Sequence, residues 1–166
     1  LLSGNAKILC EVTAQDNAEK TITGIINVQI SSNCEVKQQK GVSSNFANNG
    51  ETITLSELFT IKDKQTNSEI SDAIKKVTLT KNSIVILNQF GIKFLKEDGN
   101  EVEFSKISDA TGVNLDNLLK SVKKIKIPEE LNVYEINNLS ADIEAEINGA
   151  SQTKQNHEFS LLFKLT

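Results

Sequence analysis

Arginine, methionine and tryptophan are missing from this sequence, while histidine, proline and tyrosine occur once each and cysteine twice. Without arginine the planar fork that grips phosphates, carboxylates and guanine edges is missing. All 18 basic residues are therefore lysine, and with a net charge of −4 nucleic-acid binding is not expected. One histidine and two cysteines leave few of the side chains that do acid–base and metal chemistry, so no cofactor, no metal and no enzymatic activity are expected. No apolar run approaches the roughly 18 consecutive residues a membrane span needs. The chain opens on Leu1-Leu2 instead of methionine, as a processed product or a trimmed one would, and processing would fit export.

What is there reads as a globular β-protein. At 166 residues, with 38% hydrophobic and 24% charged side chains, one domain over 1–166 is expected, large enough to bury roughly 70% of its unfolded surface. Ile8, Cys10 and Val12 alternate, as do Ile26, Val28 and Ile30, the period of a half-buried strand. Polar residues from 37 to 50 close on Asn49-Gly50 and form the longest candidate loop. Residues 52 to 61 fit a strand, or a strand running into a short helical turn, and 70 to 79 fit a helical turn and strand or one long strand. Asp98-Gly99 between alternating segments predicts a hairpin. Leu115, Leu118, Leu119 and Val122 predict a helix over 114–124 with lysines crowding its end. Ile143, Ala145 and Ile147, then Phe159, Leu161, Phe163 and Leu165, predict a terminal hairpin with a loop over about 148–156. Together these predict a mainly β, two-sheet sandwich with one short helix in a connection.

Cys10 and Cys34 lie 24 residues apart on what read as neighbouring strands, so a disulfide between them is expected, with two buried free thiols or a metal site as alternatives. His157 is expected in a solvated loop. The carboxylates Glu101/Glu103 and Asp142/Glu144/Glu146 are expected on the outer face of a sheet, since glycosidase chemistry needs two such groups across a cleft. The one basic patch is Lys120, Lys123, Lys124 and Lys126. Its bland reading is cations complementing a helix C-terminus; its functional one is contact with an acidic partner, a polyanionic glycan or a phospholipid headgroup surface.

Three segments resemble subunits of bacterial chaperone–usher fimbriae, the pilins. Residues 25–34 resemble a strand ending in a cysteine, 90–102 resemble the pilin hairpin around a Asp-Gly turn, and 142–147 with 159–165 resemble the paired strands that finish a pilin. The resemblance implies an immunoglobulin-like sandwich lacking one strand, supplied by the N-terminal extension of the next subunit. On that reading Leu2 and Ile8 belong to the donated strand, and Phe159, Leu161, Phe163 and Leu165 wall the groove; an ordinary closed core is the alternative for this last set. The expected function is that of a non-enzymatic, exported surface or structural protein acting by protein–protein contact, as a fimbrial or surface-fibre subunit or an adhesin-like module. Its partners would be other protein subunits or a surface receptor, in an extracytoplasmic setting. The rival readings are a monomeric ligand- or lipid-binding β-protein with an internal cavity, and a viral or phage structural β-protein.

Overall fold

A computed structural model describes residues 13–14, 28–30 and 33–165. Leu2, Ile8 and Cys10, and with them most of the first expected strand, lie outside the described residues. In chain order the elements begin with β1 (Thr13–Ala14), β2 (Val28–Gln29), β3 (Cys34–Gln38) and β4 (Thr52–Thr54). A single 3-10 turn (Leu55–Glu57) leads to β5 (Phe59–Asp63), β6 (Glu69–Ile70), β7 (Ile74–Leu79), α1 (Lys81–Gln89) and β8 (Lys93–Leu95). Then come α2 (Phe104–Asp109), α3 (Gly112–Ser121), β9 (Lys124–Lys126), β10 (Glu135–Ile147) and β11 (Ala150–Leu162).

The chain is mainly β, as its alternating pattern predicts, and its described strands form three sheets. The largest has the order β1-β2-β11-β10-β7, and the two smaller ones are β3-β5-β6 and β4-β9-β8. Every pairing between these strands is antiparallel except the parallel contact of β2 with β11 at Gln29 and Thr153. Residues 52–61 do run from a strand through one helical turn into a second strand.

The hairpin of β10 and β11 is the spine, and it is tighter than the sequence predicts. Asn148 and Gly149 both take positive φ, 55° and 77°, the backbone a two-residue turn requires to match the twist of its strands. Residues 150–156 are therefore strand and not loop. The Asp98-Gly99 hairpin, in contrast, is minimal. It closes through one bridge, Leu95 to Glu101, before the chain turns into α2.

Helix α1 occupies the apolar run at 83–87. Thr80 caps it, its hydroxyl accepting from the Ser83 N–H. At the other end Gly91, with φ 80°, lets the Ile92 N–H return to the Leu87 carbonyl at 3.3 Å. Its buried face, Ser83, Ile84 and Leu87, lies against β10. The main core gathers Phe59, Leu79, Ile84, Leu87, Phe94, Ile107, Ile125, Leu139, Leu161 and Phe163. A smaller cluster holds Cys34, Ile61, Ala73, Ala145 and Ile147. None of the described helices is long and apolar enough to cross a membrane.

Candidate functional site

Two irregularities in the β10–β11 ladder shape one face of the molecule. Ile136 pairs with Leu161 and Leu139 with Phe159, so β10 carries one extra residue at Asn137–Asn138. Ala141 pairs with His157 and Ile143 with Lys154, so β11 carries the compensating extra residue at Gln155–Asn156. Each bulge holds an asparagine in the left-handed region, Asn138 at φ 65° and Asn156 at φ 53°. The second bulge is tied down by Asp142, whose carboxylate accepts from the Asn156 N–H at 2.9 Å.

Over the first bulge opens a cleft of about 740 Å³, lined by Asn82 of α1, residues 137–140 of β10 and residues 158–160 of β11. Hydroxyls hold its walls together. The Thr80 and Ser140 hydroxyls lie 2.9 Å apart, the Ser140 N–H donates to the Ser83 hydroxyl at 2.7 Å, and that hydroxyl donates back to the Ser140 carbonyl at 2.9 Å. The Ser160 hydroxyl donates to Asn137 Oδ1 at 2.8 Å. Three carboxamides, two hydroxyls and the single carboxylate of Glu158 thus belong to its lining, groups that can donate or accept hydrogen bonds. The two facing carboxylates of glycoside hydrolysis are not among its lining residues.

The expected basic patch is divided between three places. Lys120 sits in the last turn of α3, as expected, but Lys124 and Lys126 are on a strand and complement no helix end. The helix stops at Val122 because that residue turns extended, with ψ 116°. On β9, Lys124 and Lys126 alternate with the buried Ile125, which puts both on the outer face of the β4-β9-β8 sheet beside Lys93. Lys126 donates to the Gly50 carbonyl at 2.6 Å. Lys123, just before the strand, lines a second cleft of about 110 Å³ with Thr54, Ser56, Lys75, Lys76 and Glu97. Burial first, and then the facing Lys76, hold the Lys123 ammonium below the ordinary lysine range, while Glu97 and Glu144 act the other way.

Phe159, Leu161 and Phe163 are buried in the main core of the chain itself, whereas Leu165 is 51% exposed. Phe59 of β5 meets Phe159 edge-on with ring centres 5.2 Å apart, and meets His157 in the same way at 5.3 Å. His157 is thus a half-buried strand residue and not a loop residue, because the bulge at Gln155–Asn156 reverses the phase of β11 and turns it inward. Burial, and after it Lys154, push its pKa below the usual histidine value, with Glu158 opposing. Cys34 is disulfide-bonded and buried; Cys10, the expected other half, lies outside the described residues. Among the described residues no group of three or more His, Cys, Asp or Glu is arranged to hold a metal ion.

Lys75, Lys76, Asn82 and Asn137 were invisible as site residues in the sequence. Strand alternation sends consecutive residues to opposite faces, and only the strand pairing reveals where a bulge suspends that rule. Compared with known proteins, the chain matches no family model, no curated protein and no solved structure.

Proposed function

We propose that this protein is exported and works outside the cytoplasm by protein–protein contact, without an enzymatic activity, as an adhesin-like module or a subunit of a surface fibre. The observation that carries the reading is the disulfide at Cys34, since structural disulfides persist in oxidising compartments and are rare in reducing ones. The broad polar cleft over the β10 bulge supports it as a contact surface. Its amides and hydroxyls can pair with a partner, and Glu158 is the one charged group that a partner would have to cover. An immunoglobulin-like, two-sheet arrangement of the pilin kind is part of the proposal, supported by the edge-on contact of Phe59 on β5 with Phe159 on β11, strands of two different sheets. Burial of Phe159, Leu161 and Phe163 in the core favours the adhesin-like form, which binds through its outer surface, over a groove awaiting a donated strand.

The test is made on protein produced in its native host. Intact mass before and after reduction, with alkylation of any free thiol, should differ by about 2 Da, the two hydrogens of one bridge. Non-reducing gels of unheated and heated samples then separate the two forms. A single heat-independent band from the cell-surface or secreted fraction supports the module, and an unheated ladder that collapses on heating supports the fibre. Two free thiols in a cytoplasmic fraction would overturn the whole reading.

A further inference from the structure

The small cleft before β9 has a composition that the rest of the surface does not explain. Its lining brings three lysines, Lys75, Lys76 and Lys123, together with the hydroxyl residues Thr54 and Ser56 and one carboxylate, Glu97. Lys75 and Lys76 are neighbours in β7 and would ordinarily point to opposite faces. Here the pairing steps from Ala145 with Ile74 to Glu144 with Lys76 and leaves Lys75 as an extra, bulged residue. A bulge suspends the alternation of faces, and both lysines line the same cleft. Lys123 reaches the cleft from the other side, fixed by two backbone bonds. Its N–H donates to the Leu95 carbonyl at 2.8 Å, and its own carbonyl accepts from the Leu55 N–H at 2.9 Å.

Among the described residues the side-chain ion pairs are Lys40 with Glu51 and Lys93 with Glu101. None of the three cleft lysines is in one. Glu97 stands on the exposed turn after β8, and Glu144 lies across the ladder from Lys76. Against these two carboxylates stand three ammonium groups, two of them close enough for Lys76 to disfavour the charge on Lys123. Ammonium groups that outnumber the carboxylates beside them disfavour one another's charge, and an anion seated between them offsets this through charge-assisted hydrogen bonds.

We propose that Lys75, Lys76 and Lys123, with the hydroxyls of Thr54 and Ser56, form a binding site for a tetrahedral oxyanion, a phosphate or phosphomonoester group. The cleft volume of about 110 Å³ is well below the roughly 300 Å³ at which clefts enclose whole drug-sized ligands. The site therefore takes the anionic group alone and leaves the remainder of its carrier in solvent. Two sources present such a group, free phosphate and a lipid phosphomonoester headgroup. The site does not depend on the export or assembly of the protein.

Amide chemical shifts of the full chain, followed while inorganic phosphate is added at constant ionic strength, test the proposal directly. Saturable shifts at Ser56, Val77 and Lys123 are expected, with affinity in the millimolar range of a few exposed charge-assisted contacts. Lys76→Gln and Lys123→Gln should each weaken binding roughly tenfold, while Lys120→Gln, on α3 outside the cleft, leaves it unchanged. Glu97→Gln should tighten binding severalfold, a gain that a damaged fold cannot mimic. Vesicles of phosphatidylcholine with and without phosphatidic acid form the second arm. Binding only to the acidic vesicles, lost in Lys76→Gln, identifies the lipid headgroup as the source, and binding to free phosphate alone identifies a soluble one. No saturable shift with phosphate together with no vesicle binding overturns the site, as does binding that survives both lysine substitutions.

Discussion

At the scale of single residues, His157 shows how placement sets a property that composition hides. Its ring sits half-buried, edge-on to Phe59, with Lys154 and Glu158 on its own strand and Ala141 across the ladder. Burial and Lys154 lower its pKa from the ordinary histidine value of 6.5, so the unfolded chain takes up a proton at a higher pH than the folded one. Stability from this group is therefore complete above about pH 6.5 and is lost progressively as the pH falls through that value toward the lower folded pKa. Urea denaturation between about pH 7 and pH 5 should show the decline, and His157→Gln should flatten it. An unchanged pH slope in that variant would show that another group is responsible. His157 was readable in the sequence only as a polar residue near a loop, because the bulge that turns it inward leaves no mark in a pattern of alternate residues.

At the scale of elements, the β10–β11 hairpin separates what the sequence makes legible from what it conceals. Ile143, Ala145 and Ile147 keep one phase and Phe159, Leu161 and Phe163 keep another, and both runs announce strands. The continuation of each strand is hidden, since Ile136 and Leu139 on one, and Gln152 and His157 on the other, lie an odd number of residues apart yet face the same way. Helix α3 was legible from its leucines. Helix α1 was not, because a short apolar run of four to eight residues reads equally well as helix or strand. The extra residue of the β10 bulge is accommodated by the left-handed backbone of Asn138, at φ 65° on an exposed position. Asparagine tolerates that conformation and glycine prefers it, whereas a Cβ without a compensating side-chain bond costs about 1 kcal/mol or somewhat more. Asn138→Gly should leave the denaturation midpoint within a few tenths of a kcal/mol of the parent, and Asn138→Ala should lose about 1 kcal/mol. Equal losses in both would mean that the asparagine carboxamide, and not the backbone, holds the bulge.

At the scale of the whole molecule, the apolar interior divides into a large cluster built on α1, β10 and β11 and a small one around Cys34, Ile61, Ala73, Ala145 and Ile147. The small cluster has few side chains to hold it, so the disulfide at Cys34 supplies a restraint there that the main core does not need. A cross-link over a span such as the 24 positions from Cys10 to Cys34 restricts the unfolded chain and contributes about 3 kcal/mol. Its loss should be felt unevenly, because regions with few buried contacts open at lower free energy than the centre of a core. Reduction is therefore expected to lower global stability by about 3 kcal/mol and to speed hydrogen exchange first at Ile61, Ala145 and Ile147. Leu79, Ile84, Leu139 and Phe163 should remain the slowest to exchange, their protection falling by no more than the loss of global stability. Uniform loss across both clusters would show that they unfold as one unit, and the disulfide would then serve the whole fold instead of its smaller part.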